Sequence, residues 1–172
     1  GGSNITMSKI LILGLSYAFF EVSIIGSESS ATITGAGGTM DITFDGGSNI
    51  TMSKIYPKEV AWGTKTFTVM GNNTTNLTMN YYLNLVIKTN TFSYGSLKYK
   101  LTSTNTGSNG SVVPSTITMQ EIGSGARSIL LGNGSFSGPT NGNKVHSYTL
   151  NIYFPDTRED QDYDNGKSIN SY

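Results

Sequence analysis

The run Leu77-Thr-Met-Asn-Tyr-Tyr-Leu-Asn-Leu-Val-Ile87 decides the fold class. Apolar residues stand at Leu77, Met79, Tyr81, Leu83, Leu85 and Ile87, with polar residues between them except at Tyr82 and Val86. A period of two sends alternate side chains to opposite faces, so the run reads as one long half-buried strand. The doubled tyrosine, Tyr81-Tyr82, is where a bulge is expected. The same alternation recurs at Met40, Ile42 and Phe44, at Ile50 and Met52, and around Phe67 and Val69. It returns at Leu97, Tyr99 and Leu101, at Ile117 and Met119, and from Tyr148 through Leu150 and Ile152 to Phe154. Turn clusters punctuate these runs at Asp45-Gly46-Gly47, Gly71-Asn72-Asn73, Gly132-Asn133-Gly134, Gly138 to Gly142, and Asn165-Gly166. Short strands at this spacing, with Gly and Asn supplying tight turns, predict an all-β sandwich.

Two stretches leave room for a helix. Ile10 to Ile25 is apolar throughout except for a few residues, and reads either as a short helix or as extended chain. Gln120 to Leu131 fits one short helix, although Gly123 and Gly125 oppose a long one.

The chain has 172 residues, enough for one domain with a real core. It carries 11 basic and 11 acidic residues, a net charge of zero, which gives a nucleic-acid partner no electrostatic support. So little charge also leaves weak protection against self-association. There is no cysteine, hence no disulfide framework and no thiol chemistry.

Near the N-terminus Lys9 precedes the apolar Ile10 to Leu15, and Ser16-Tyr17-Ala18 is a small-x-small site. This is the pattern of a secretory leader cleaved after Ala18. A second feature lies across it: Gly1 to Ile10, GGSNITMSKI, recurs letter for letter at Gly46 to Ile55. The duplicate reads either as an artefact of joining or as a spare strand able to pair where its twin pairs. The expected organisation is a leader-like or joined-on segment over 1–18, an N-terminal arm over 19–38, and a sandwich domain over 39–172.

Catalytic equipment is sparse. The one histidine, His146, has no neighbouring acid or thiol and reads as structural. No zinc-protease, nucleophile-elbow or phosphate-loop pattern occurs, and no enzyme activity is expected. Asp160, Asp162 and Asp164 fall at alternate positions, the oxygen-rich spacing of a calcium loop, and make calcium the one candidate cofactor. Asn165 and Ser171 stand where such a loop wants Gly and Glu; a solvated turn is the competing reading. Trp62 reads as a cover for the core, or as a platform for stacking a sugar. Sequons occur at Asn4, Asn49, Asn72, Asn73, Asn76, Asn109 and Asn133.

A family resemblance rests on the order of short motifs. Ala18-Phe19-Phe20 follows the leader; Gly38-Thr39-Met40-Asp41-Ile42 and Ile50 to Ile55 lead to Tyr56-Pro57. Gly63-Thr64-Lys65-Thr66-Phe67-Thr68-Val69 then runs into Asn72-Asn73, with Tyr99-Lys-Leu-Thr, Tyr148-Thr-Leu-Asn-Ile and the acidic loop before Gly166-Lys167 downstream. This resembles the TasA and camelysin-like secreted matrix proteins of bacteria. Pro57-Lys58-Glu59 replaces the family's Pro-Gly-Asp turn, and Thr74 stands where its turn glycine is usual. The protease activity described for some members is not carried over, since no zinc-ligand set is present. The resemblance implies a jelly-roll-like sandwich, secreted to the cell surface or matrix. It also implies subunits that polymerise when the N-terminal strand of one fills a groove in the next.

The physical case runs the same way. A sheet edge offers unpaired N–H and C=O groups that an extended arm from a neighbour satisfies. The arm residues singled out are Phe19, Phe20, Val22, Ile24, Ile25 and Ile33. Burying Val22, Ile24, Ile25 and Ile33 contributes on the order of 6–12 kcal/mol before ordering costs. The leading expectation is thus a homopolymeric fibre subunit whose arm is left for a neighbour. The alternatives are a surface adhesin or carbohydrate-binding sandwich using Trp62, and a pilin that keeps an N-terminal helix.

Overall fold

The structure is a computed structural model that describes residues 3–7, 11–17, 20–25, 28–35, 38–45, 50–55, 59–61, 63–90, 97–106, 110–123, 125–155 and 169–171. Among these residues strands occur without a helix. In chain order they are β1 (Ser3–Met7), β2 (Leu11–Tyr17), β3 (Phe20–Ile25), β4 (Glu28–Gly35), β5 (Gly38–Asp45), β6 (Ile50–Ile55) and β7 (Gly63–Asn73). There follow β8 (Thr78–Asn90), β9 (Lys98–Thr106), β10 (Thr116–Glu121), β11 (Arg127–Ser137), β12 (Lys144–Tyr153) and β13 (Ile169–Ser171). The fold is the expected all-β sandwich of two sheets. One sheet has seven strands in the order β3-β2-β8-β13-β1-β6, with β11 also on β8; the other has six, β10-β9-β12-β7-β5-β4. All pairings are antiparallel except β1 with β13.

The alternating rows become the inner faces. Met79, Tyr81, Leu83 and Leu85 of β8 are all fully buried, and Phe67, Val69, Leu101, Leu150 and Ile152 meet them from the other sheet in one core. Leu77, the first apolar residue of the deciding run, stays exposed because it lies in the turn before β8.

The expected bulge is displaced. β8 runs without a break past Tyr81-Tyr82, and the extra residue sits on its partner: Leu130 opposes Asn84 and Gly132 opposes Leu83, leaving Leu131 between them. Gly132, at a φ of 150°, supplies the backbone conformation that a side chain resists.

Neither stretch that left room for a helix holds one among its described residues. Ile10 to Ile25 holds β2 and β3, so no retained N-terminal helix is found there. Ile12, Phe20, Ile24 and Ile25 of this run find partners in a sheet, and tertiary pairing overrides local preference. Gln120 and Glu121 end β10, and Arg127 to Leu131 begin β11. Ile117 is three-quarters exposed, against the alternation that placed it inward. The cause is the register shift of β10 on β9 between Thr116 and Gln120, which turns this edge strand away from regular pairing.

Candidate functional site

Residues of the expected arm fall on two outer strands. Phe20, Val22, Ile24 and Ile25 belong to β3, where they lie opposite Tyr17, Leu15, Leu13 and Ile12 of β2. Among the described residues β3 pairs with β2 alone and ends the seven-stranded sheet. Ile33 belongs to β4, opposite Met40 of β5, and β4 ends the six-stranded sheet. Eight residue pairs join β4 to β5, and the Thr32 hydroxyl donates to Asp41 Oδ1 at 2.7 Å. The sequence reading left these strands for a neighbour; in the lone chain they cover edges of their own body. Phe19, Trp62, Asp160, Asp162 and Asp164 lie outside the described residues.

The apolar segment read as a leader is β2. It fills the space between β3 and β8, with Leu11 opposite Leu85 and Ser16 opposite Asn80. Its six pairs on β8 therefore all lie ahead of the bond after Ala18.

The interior holds a polar cluster that sequence reasoning missed. Tyr81 comes from β8, and His146 and Tyr148 come from β12 in the opposite sheet; all three are buried. The Tyr81 hydroxyl lies 2.5 Å from His146 Nδ1 and also bonds the Tyr148 hydroxyl. The Val113 N–H donates to Tyr148 Oη at 3.1 Å. One assignment gives every hydroxyl one donor role and one acceptor role: Val113 N–H to Tyr148, Tyr148 to Tyr81, Tyr81 to Nδ1. The reverse direction would leave the Tyr148 proton without an acceptor among the described residues. The imidazole then carries its proton on Nε2, which has no partner among the described residues. Phe136 stacks on the imidazole at 4.2 Å between centroids, and Phe67 stacks on Tyr148 at 5.1 Å.

Burial governs the electrostatics here. It pushes the His146 pKa down from 6.5 to about 4, because the charged ring has lost its water. It raises both tyrosine hydroxyls, Tyr81 further through its neighbour Tyr148. At neutral pH the cluster is therefore uncharged. With all its members shut off from solvent, it joins the two sheets rather than meeting a substrate. One signal pointed to it: His146 stands in phase with Tyr148, Leu150 and Ile152, the inward row of β12.

A second buried polar knot closes one end of the sandwich around Asn73. Its Nδ2 donates to the Leu77 carbonyl at 2.6 Å and to the Phe136 carbonyl at 3.2 Å. Its Oδ1 accepts from the Thr75 N–H at 3.0 Å and from the Thr75 hydroxyl at 2.7 Å. The Asn73 N–H donates to Thr140 Oγ1, and the Thr140 N–H returns a bond to the Asn73 carbonyl. The amide is saturated and buried, which bars Asn73 from serving as a glycan acceptor; the sequon residues Asn76 and Asn133 are exposed. Comparison with family models, curated proteins and solved structures finds no match for this chain.

Proposed function

We propose that this chain is the structural subunit of an extracellular bacterial filament or matrix fibre, a jelly-roll-like sandwich that polymerises by donating its N-terminal strand. One observation carries the reading: among the described residues β3 pairs only with β2, and β2 ends at Tyr17, ahead of the bond after Ala18. Cleavage after Ala18 removes β1 and β2 together. It strips β3 of its partner and uncovers the Asn80–Leu85 edge of β8, beside the core residues Tyr81, Leu83 and Leu85. An edge beside such residues is a template for another strand.

The length and sense of the gap favour a neighbour's β3. Six positions of β8 are vacated, and β3 has six residues. β2 is antiparallel to both β3 and β8, so β3 runs parallel to β8 in the lone chain. To refill an antiparallel place, β3 would have to reverse while its end stays tied to β4 through residues 26–27. A strand from another subunit arrives in the needed sense without that reversal. Head-to-tail donation does not close on itself and so gives filaments.

The test is assembly by chains cut at defined places. A chain beginning at Phe19 forms fibres in electron micrographs and elutes in the void volume. The same chain without residues 19–33 stays monomeric. Fibres from that shorter chain would sink the proposal.

A further inference from the structure

The described parts of the two GGSNITMSKI copies, Ser3–Met7 and Ile50–Ile55, lie side by side. β1 comes from the first copy and β6 from the second, and they pair antiparallel with Ile5 opposite Met52, Thr6 opposite Thr51 and Met7 opposite Ile50. By place in the decamer, Ile5 matches Ile50, Thr6 matches Thr51 and Met7 matches Met52. The pairing therefore reads the same from either strand, about a local two-fold axis between Thr6 and Thr51. The symmetry spans these three pairs and ends at the irregularity between Ser3 and Ile5. A strand that complements its own duplicate in antiparallel register also complements the same strand on another molecule.

We propose that β6 is a self-recognition strand whose partner is β6 of a second copy of this chain, and that β1 is the in-chain competitor for that place. With β1 displaced, the second copy sets its Ile50 against Met52, its Thr51 against Thr51 and its Met52 against Ile50. Each pair is chemically one that β1 already makes. The far side of β1 is served as well. β1 runs parallel to β13, with Ile5 opposite Ile169, Thr6 opposite Asn170 and Met7 opposite Ser171. An incoming β6 has the direction of β1 and presents the same residues to β13. The contact uses one patch on both molecules, so it closes at two. It does not rest on strand donation, which uses β3 and β8 and stays open-ended. In the intact chain β1 holds the place through its high effective concentration.

The absence of cysteine allows a direct test. Directly opposed residues of an antiparallel pair have Cα atoms about 4.5–5.5 Å apart, within reach of a disulfide. Thr51→Cys is placed in the full chain together with Thr6→Pro, which removes an N–H that β1 needs in its ladder. On oxidation this chain is expected to form a covalent dimer on non-reducing gels, and excess free GGSNITMSKI peptide suppresses it. Ser53→Cys in the same background serves as the off-axis control. Its two sulfurs would be about 13 Å apart along the strands, four residue steps, and about tenfold less dimer is expected. Ile5→Asp provides a second displacement of β1 that keeps every backbone donor. Thr6→Cys with Thr51→Cys is expected to close within one chain and to run as a monomer. Equal dimer yields at positions 51 and 53, no dimer in either displaced background, or indifference to the peptide overturns the proposal.

Discussion

Acid should loosen the interior through His146. Folding takes this ring from water, where its pKa is near 6.5, to a buried site where it is about 4. Above pH 6.5 both the folded and unfolded chains hold it neutral, and it contributes no pH dependence. Between 6.5 and 4 the unfolded chain binds a proton that the folded chain refuses, so stability falls as pH falls. Below 4 both states are protonated and the loss levels off. At about 1.4 kcal/mol per pH unit, the full descent is about 3 kcal/mol. The assay is denaturant unfolding from pH 8 to 3.5, comparing the wild-type chain with His146→Gln. Both chains carry the same 11 side-chain carboxylates, so subtracting the two curves isolates the imidazole. Because the chain has a single histidine, its NMR ring protons titrate without overlap. Identical pH slopes in the two proteins, or a ring that titrates at 6.5 or above in the folded protein, would refute the reasoning.

Two further outcomes follow from the packing. Asn73→Ala takes the acceptor from the buried Thr75 N–H and hydroxyl and the amide donor from the Phe136 carbonyl, while the Leu77 carbonyl keeps the Gly138 N–H; it should cost about 2–4 kcal/mol in denaturant unfolding, where an unsatisfied group typically costs 1–3; a loss within experimental error would remove the knot from the account. Gly134→Ala puts a methyl group into the ring of Tyr81, its directly paired neighbour on β8, and should lower stability by about 1–3 kcal/mol in denaturant unfolding; an unchanged midpoint would show that the ring moves aside at no cost.

The sandwich was legible because β8, β9 and β12 keep strict alternation over their buried stretches, and a period of two leaves little choice of face. β10 defeated the same logic, since an edge strand with shifted register has no need to present Ile117 inward. The partners of the N-terminal strands were not legible either. A run such as Ile10 to Ile25 fits several environments, and only long-range pairing with β8 selects among them. The cluster of Tyr81, His146 and Tyr148 needed three dimensions. Its members are 65 and 67 residues apart along the chain, and no local pattern marks two strands of different sheets as facing each other.

The bond from Tyr81 to His146 has a mechanical consequence. Layers of aliphatic side chains resist separation but slide over one another with modest resistance, because one methyl contact replaces another. A directional chain of hydroxyls has a single position of best fit. A subunit under tension along its strands would meet this latch before its greasy layers could shear, and its rupture would be abrupt.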